Sequence, residues 1–124
     1  MTARAIQTVP ARIAPLATLP LFHKLEGRKA VVVGQSTGAT WKAELLAATG
    51  ADVLVLPHEW TPADLEGAAL AVADIADDGE AARFIAAAHA AGAVVNIIDR
   101  TELCDVTFGT IVNRSPVVLA ISTD

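Results

Sequence analysis

The stretch that decides the fold is Lys29–Gly50, KAVVVGQSTGATWKAELLAATG, in which an apolar run, a glycine turn and a helical pattern follow without interruption. Ala30–Val33 is a short, largely β-branched run without polar alternation, which is typical of a strand buried on both faces of a parallel sheet. Ala43–Ala47 places apolar residues at helical spacing, and Gly50 lies where a C-terminal helix cap is expected. The stretch therefore predicts a strand, a loop and a helix.

The loop of this unit, Gly34–Ala39 (GQSTGA), approximates the fingerprint in which glycines let backbone N–H groups approach a pyrophosphate at a helix N-terminus. Ser36 stands where the fingerprint has its second glycine, and its hydroxyl, with those of Thr37 and Thr40, can donate to an anion. A plain βα turn that needs one glycine and an N-cap explains the loop equally well. The candidate dinucleotide-binding residues of the loop are Gly34, Gln35, Ser36, Thr37 and Gly38.

Composition limits the classes of protein to which the chain can belong. Its 124 residues suit one domain with a real core, and 53% hydrophobic residues with few aromatics suit a small α/β fold. The formal charge of −5 and the scattered basic residues make nucleic acid an unexpected partner. The single cysteine, Cys104, excludes an internal disulfide and a multi-cysteine metal site, and it fits a reducing cytoplasm.

Neither a membrane span nor a secretory signal is expected. The longest nearly uncharged stretch, Phe84–Ile98, is too short and too polar to cross a bilayer. Met1–Leu19 lacks the continuous apolar core of a signal peptide. We therefore expect a cytoplasmic protein with a flexible leader over residues 1–18 and one domain over residues 19–124.

Strands and helices alternate along the rest of the chain. Leu19–Leu25 should be an extended segment lying on the sheet, and Thr61–Leu65 should be one helical turn with proline at its first position. Further strands are expected at Ala51–Leu56, Ala68–Ala73 and Ala93–Ile98, a second helix from Asp77 or Asp78 to about Ala90, and a hairpin over Thr110–Ser122 with its turn at residues 113–115. The pattern predicts a Rossmann-like, three-layer α/β fold, whose mostly parallel sheet is closed by the C-terminal antiparallel hairpin.

One acidic residue follows the fourth predicted strand. In open α/β sheets ligands gather beyond the carboxyl ends of the strands, and we expect the fourth strand to lie beside the first. Asp99 would then face the crevice next to the Gly34 loop, where a carboxylate can move protons or approach a metal. A carboxylate that caps the next turn through Thr101 or Glu102 is the alternative, and position alone slightly favours it over catalysis.

Several motifs follow one another in an order that resembles a known family. They are Leu19–Phe22 (LPLF), Val31–Gly34 (VVVG), Lys42–Leu46 (KAELL), Gly50–Ala51, Asn96–Asp99 (NIID), Glu102–Asp105 (ELCD), Ile111–Pro116 (IVNRSP) and Ile121–Thr123 (IST). Over Leu19–Asp124 the chain resembles the N-terminal domain of siroheme synthase, the precorrin-2 dehydrogenase and sirohydrochlorin ferrochelatase module.

The resemblance implies an enzyme that uses NAD to oxidise precorrin-2 to sirohydrochlorin and that inserts ferrous iron into the product. It implies that Asp99 is the general acid/base of both steps, that Thr37 and Gly38 touch the dinucleotide, and that Asn96 and Ser122 face the cleft. A tetrapyrrole substrate and a homodimer follow from the same resemblance, and no resident metal site is expected.

The chain also departs from the family pattern. Relatives carry a helix and a strand between the equivalents of Leu56 and Trp60, where this chain has only Pro57–Glu59 (PHE). The acidic residue that should bind the ribose has no direct counterpart, so His58 and Glu59 are the candidates for that contact. Relatives continue past the equivalent of Asp124 into a helical dimerisation segment that completes the cleft.

Two other classes of function are weighed against the dehydrogenase. One is a non-catalytic Rossmann fragment that binds NAD(P) or serves only as structure. The other is an S-adenosylmethionine methyltransferase, which would need an acidic ribose contact after the second strand, and the sequence offers none there.

Overall fold

The computed structural model describes residues 8–122, and the predicted order of elements is confirmed. The strands are β1 (Lys29–Val33), β2 (Asp52–Leu56), β3 (Ala68–Ala73), β4 (Val94–Ile97), β5 (Thr110–Arg114) and β6 (Val117–Ile121), and the helices are α1 (Thr37–Ala48) and α2 (Asp78–Ala90). Two 3₁₀ turns, Pro62–Leu65 and Thr101–Leu103, lie in the connections. Asp77 is the N-cap of α2, where its side chain accepts the Glu80 N–H at 2.8 Å.

A parallel four-stranded sheet with one helix on each face forms the core, which confirms the Rossmann-like, three-layer prediction. Alternate residues of β1 point to opposite faces. Val31 and Val33 pack with Phe84 of α2, whereas Ala30 and Val32 pack on the other side with α1. Burial on both faces explains why β1 and β3 are continuous apolar runs.

The strand order is β2-β1-β3-β4, so the expectation that β4 lies beside β1 is wrong. The chain passes from β1 through α1 to β2 on one side, then returns past β1 to form β3 and β4 on the other side. Because parallel crossovers are right-handed, this reversal also puts α1 and α2 on opposite faces. The neighbour of β1 on the β4 side is therefore β3.

The C-terminal hairpin is present, but it forms a sheet of its own and does not close the parallel one. The free edge of β4 is already occupied, because the N–H groups of Asp105 and Val106 donate to the Val95 carbonyl at 2.8 and 3.3 Å. All residues of β6 are exposed. The turn of the hairpin is at residues 115–116, since Arg114 pairs with Val117.

The N-terminal part of the domain also differs from expectation. Leu19, Leu21 and Phe22 are exposed, and in this segment only Leu25 enters the core. The prediction that the segment lies on the sheet is therefore wrong for most of its length. Residues 8–18 contain neither helix nor strand, and residues 1–7 of the predicted leader lie outside the described residues.

The connection after β2 is short and runs directly to the first 3₁₀ turn. Thr61 and Asp64 form a capping box there, with the Thr61 N–H donating to Asp64 Oδ2 at 2.8 Å. Trp60 anchors the connection: its ring meets Phe84 edge-on at 5.1 Å, and its Nε1 donates to Glu80 at 3.0 Å. β2 is an edge strand of the sheet, and its Val55 is exposed.

Candidate functional site

The turn that follows β1 requires glycine. Gly34 has φ 126°, and a Cβ at this position would lie 2.9 Å from the Cβ of Asp74. The turn is tied to both neighbouring strands, because the Gly34 N–H donates to the Leu56 carbonyl and the Asp74 N–H donates to the Val33 carbonyl, each at 2.8 Å. Any side chain would force β3 away from β1, so the backbone here stays bare and open to a ligand.

Helix α1 begins immediately after this turn. Ser36 is its N-cap, and the serine Oγ accepts the Ala39 N–H at 3.1 Å. The hydroxyl is thus engaged in the cap. Within residues 8–122 the N–H groups of Thr37 and Gly38 have no hydrogen-bond partner, and the first turn contains no acidic residue. Two donors and the positive end of the helix dipole therefore face the crevice and suit an anion.

Gly38 brings the start of α1 against the end of β4. A Cβ at Gly38 would meet only the Ile98 Cγ2 at 3.7 Å and the Ser36 Oγ at 3.9 Å, which are ordinary contacts. Ile98 immediately precedes Asp99 in the chain. The candidate phosphate-binding turn and the loop that carries Asp99 are therefore neighbours, although β3 separates their strands.

The acidic residue that lies directly beside Gly34 is Asp74, immediately after β3, and sequence reasoning missed it. The signal was available, because Asp74 follows the buried run Ala68–Ala73 just as Asp99 follows β4. The expectation that Asp99 lies next to the Gly34 turn depended on the wrong strand order.

Asp99 itself occupies a special backbone position. It has φ 62°, which is uncommon for a residue with a side chain, and it is exposed. The predicted alternative role as a cap is not seen: the 3₁₀ turn after it has Arg100 at its N-cap without a side-chain hydrogen bond, and Glu102 approaches the Arg100 Nε at 3.5 Å. The Asp99 carboxylate is therefore available to a ligand.

Cys104 holds the far end of the Asp99 loop. Its Sγ accepts the Ile97 N–H at 3.2 Å and donates to the Ile97 carbonyl at 3.2 Å. Burial raises the pKa of the Cys104 thiol. The thiol therefore keeps its proton, which it donates to the Ile97 carbonyl. The cysteine is a structural clamp for the loop.

Asp99 lines a cavity of about 160 Å³ between Lys42 of α1 and the segment that follows β4. Asn96 also lines it and is only 5% exposed. The Asn96 Nδ2 donates to the Val106 carbonyl at 2.9 Å, but its buried Oδ1 has no hydrogen-bond partner among residues 8–122. Lys42 and Phe108 form another wall, with the Lys42 Nζ 5.4 Å from the centre of the ring. Sequence reasoning did not single out Lys42 or Phe108, whose proximity depends on the tertiary fold.

His58 and Glu59, the predicted ribose contacts, lie at the opposite edge of the sheet, on the connection after β2. Gln35 Nε2 and His58 Nε2 are 3.0 Å apart, so the turn after β1 meets the connection after β2. Glu59 is exposed next to this pair. The sequence-predicted residues thus fall into three groups: one on the β2 side of the Gly34 turn, one in the turn and the first residues of α1, and one around the cavity on the β4 side.

No three His, Cys, Asp or Glu side chains among residues 8–122 are grouped so that they could hold a metal ion. A larger cavity of about 480 Å³ lies against the outer side of α2, between Ile85, His89 and Arg100, and none of the predicted site residues lines it. In the part of the chain that the structure describes, no helix has the length and apolar character needed to cross a membrane.

Sequence comparison identifies curated relatives of this chain. The chain is 38% identical to siroheme synthase of Ectopseudomonas mendocina over 122 residues, a match that covers 84% of this chain and 26% of the relative. It is 39% identical to siroheme synthase of Azotobacter vinelandii over 124 residues, covering 84% of this chain and 27% of the relative. The chain thus spans about a quarter of the length of the curated relatives that it matches.

These alignments are longer than the part of this chain that they cover, so the relatives hold residues that this chain lacks within the matched region. Among solved structures, "SirC, precorrin-2 dehydrogenase" superimposes with a TM-score of 0.62 at 21% identity, covering 86% of this chain and 62% of that one, and it shares the fold.

A family model matches residues 21–110, which include β1, the Gly34 turn, the start of α1 and Asp99. The description of that family is "Putative NAD(P)-binding". Since the match extends over more than half of the sequence, this chain belongs to that NAD(P)-binding family.

Proposed function

We propose that the chain is the NAD-binding module of a siroheme synthase type of enzyme, which oxidises precorrin-2 to sirohydrochlorin. The observation that carries the proposal is the bare turn at Gly34 followed by two unpartnered N–H groups at the start of α1, with Asp99 on the adjoining loop. The similarity to siroheme synthases supplies the substrate class.

The residues present fit NAD. Its pyrophosphate is an anion for the Thr37 and Gly38 N–H groups, and the absence of an acidic residue in the first turn leaves that charge unopposed. Gln35, His58 and Glu59 lie on the β2 side, where the adenosine ribose is held in folds of this type. Asn96 lines the cavity on the β4 side.

In the proposed reaction, bound NAD would supply the acceptor for the hydride that leaves the macrocycle. Asp99 accepts the proton that leaves with it, because its carboxylate lies free at the cavity and carries no competing hydrogen bond from the turn that follows. Loss of a hydride and a proton balances one two-electron oxidation. Thr37 and Gly38 would hold the pyrophosphate through their N–H groups and so orient the cofactor relative to Asp99.

The same carboxylate would serve iron insertion in the complete protein, as the resemblance implies. Ferrous iron is a substrate of that step and replaces two protons of sirohydrochlorin, so a base beside the macrocycle is required. We also propose a homodimer and a cytoplasmic location. The exposed apolar side chains of β6 support the first, and the reduced Cys104 is compatible with the second.

Calorimetric titration with NAD, comparing Gly38→Asp with Gly38→Asn, tests the proposed cofactor site. A Cβ at Gly38 makes only ordinary contacts, and the two side chains have nearly the same shape, so the variants differ chiefly in charge. Aspartate should lower NAD affinity at least about tenfold relative to asparagine, which is about 1.4 kcal/mol. An acidic residue at the start of a helix is itself stabilising, so the thermal stability of Gly38→Asp should not fall below that of Gly38→Asn. Equal affinities in the two variants would reject the site.

A further inference from the structure

We propose that Lys42 binds a carboxylate substituent of the tetrapyrrole substrate in the cavity that Asp99 lines. The inference rests on the proposed function, because it assigns a contact to the substrate of the same reaction. Precorrin-2 carries its negative charge on acetate and propionate arms around the macrocycle. A protein that orients such a substrate needs a cation at a fixed place near the reacting centre, since charge-assisted hydrogen bonds to carboxylates are the strong ones.

Lys42 carries a positive charge that the described fold does not balance. The residue lies in the second turn of α1 and is half-buried, and its ammonium makes no ion pair with a carboxylate of residues 8–122. Its Nζ lies 5.4 Å from the centre of the Phe108 ring, a contact that restricts the long side chain but uses none of its N–H donors. An anion from outside the fold can therefore pair with this cation.

Arg100, the other basic residue that lines the cavity, is already paired with carboxylates of the chain. Its Nη2 lies 2.6 Å from Asp78 Oδ1, and its Nε lies 3.5 Å from Glu102 Oε1. Asp99 lines the cavity as well, but it forms no ion pair with Lys42. Among the described residues of the cavity, Lys42 is therefore the cation that lacks an acidic partner.

The size of the cavity determines which part of the substrate can enter it. A volume of about 160 Å³ is too small for a tetrapyrrole macrocycle but has room for one carboxylate arm. The exposed hydroxyl group of Thr107 also lines the cavity and can donate a hydrogen bond to the same carboxylate. A macrocycle whose arm is held by Lys42 would therefore present its edge to Asp99, the proposed base.

The position of Lys42 separates it from the proposed cofactor contacts. It lies five residues after Thr37 on α1, which is about 7.5 Å along the helix from the proposed pyrophosphate contact. The unpartnered N–H groups of Thr37 and Gly38 already supply donors for the pyrophosphate. Lys42 is therefore assigned to the substrate and not to NAD, and its loss should affect the two ligands differently.

Titrations with NAD and with sirohydrochlorin, the product that keeps the carboxylate arms, test the inference. Lys42→Met should weaken sirohydrochlorin binding about tenfold or more, the scale of a lost hydrogen bond to a charged group, and leave NAD affinity unchanged. Lys42→Arg, which keeps the charge, should retain most of the affinity for sirohydrochlorin. Lys24→Met removes the same charge from an exposed residue before the sheet, so it is the matched control and should change neither affinity.

Salt dependence is a readout that a purely structural role of Lys42 would not change. Added salt screens the attraction between a partly exposed lysine and a carboxylate. The parent and Lys24→Met should therefore lose affinity for sirohydrochlorin more steeply with added salt than Lys42→Met does. Equal slopes for the parent and Lys42→Met would overturn the assignment.

Failure of this inference and failure of the proposed function give different results. If the parent binds neither ligand, the proposed function is wrong and the assignment fails with it. If the parent binds NAD but not sirohydrochlorin, the substrate class is wrong, which also removes the assignment. If both ligands bind and Lys42→Met weakens both equally, or neither, the function stands and the assignment is overturned. Lys42→Gln, which keeps a polar side chain on the helix, decides the question if Lys42→Met does not fold.

Discussion

The sulfur of Cys104 lies 3.2 Å from both the backbone nitrogen and the carbonyl oxygen of Ile97. A single thiol thus makes the pair of contacts that a residue of a neighbouring strand would make. Asp105 plays the same part earlier on the strand, because its Oδ2 accepts the Val95 N–H at 2.9 Å. The same oxygen lies 2.7 Å from His89 Nε2 on α2. Two side chains therefore close the edge of β4, and the loop that carries Asp99 is tied at its end.

Stability should decline at alkaline pH through Cys104. Burial raises the pKa of its thiol above the ordinary value of 9.0, so the folded chain keeps a proton that the unfolded chain loses. The contribution of the protonated thiol to the free energy of unfolding is fully present below pH 9.0. It is lost as the pH rises through the raised pKa of the folded chain. Urea unfolding of the parent and of Cys104→Ser between pH 7 and 10 should show the steeper alkaline decline in the parent. Parallel profiles would exclude ionisation of the thiol as the cause.

Gly34→Ala should destabilise the fold far more than Gly67→Ala. Both glycines have positive φ, 126° and 76°, but a Cβ at Gly67 meets nothing within 4 Å, whereas at Gly34 it meets the Asp74 Cβ at 2.9 Å. We expect a loss of about 1–2 kcal/mol at Gly67 from backbone strain alone and about 3 kcal/mol or more at Gly34. Denaturant titrations measure the difference. Similar losses of unfolding free energy in the two variants would mean that β3 shifts to accommodate the added methyl group without destabilising the fold.

Asp99→Ala should lower precorrin-2 oxidation about a hundredfold or more, which is the usual scale for a lost acid/base group. NAD affinity should change little, because the proposed pyrophosphate contacts lie on Thr37 and Gly38. Asp99→Asn is the matched variant, since asparagine tolerates the φ of 62° and removes only the ability to take up a proton. Turnover and NAD titration on both variants separate chemistry from loop geometry. Parental turnover in either variant would remove Asp99 from the mechanism.

The apolar strand β6 should mediate self-association. Val117, Leu119 and Ile121 are each more than half exposed, and β5 covers only one edge of their strand. We expect a dimer in light scattering, and Leu119→Lys should shift it toward the monomer of 12.8 kDa. Val9→Lys, at a residue that is also exposed but lies in the N-terminal segment, is the control and should leave the dimer intact. A monomeric parent at high concentration would contradict the proposal.

Local features could be predicted from the sequence because adjacent residues determine them. The apolar run of β1, the Ser36 region as a helix start and the cap of α2 near Asp77 all follow from short patterns. The strand order did not follow, because the direction in which the chain crosses back after β2 leaves no mark in residue spacing. Because of that error, Asp99 was expected one strand closer to Gly34 than it is, and Asp74 was not considered.

The cavity was beyond sequence reasoning for a related reason. Asn96 was expected at the cleft, but its unsatisfied oxygen depends on which of its two amide atoms meets the Val106 carbonyl. Lys42 and Phe108 are far apart in the chain, and they meet only because the segment after β4 folds back over α1. Contacts of this kind are fixed by packing between elements and not by any local pattern.

The short connection after β2 has a consequence for how such a protein can diverge. His58 and Glu59 lie on that connection at the outer edge of the sheet, whereas Asn96, Lys42 and Asp99 lie around the cavity on the other side of the Gly34 turn. Residues can therefore be lost or exchanged between Leu56 and Trp60 without moving the groups assigned to the chemistry. In the proposed assignment, the contact with the ribose and the transfer of the proton thus belong to separate parts of the chain, so that substitutions could alter the first and leave the second intact.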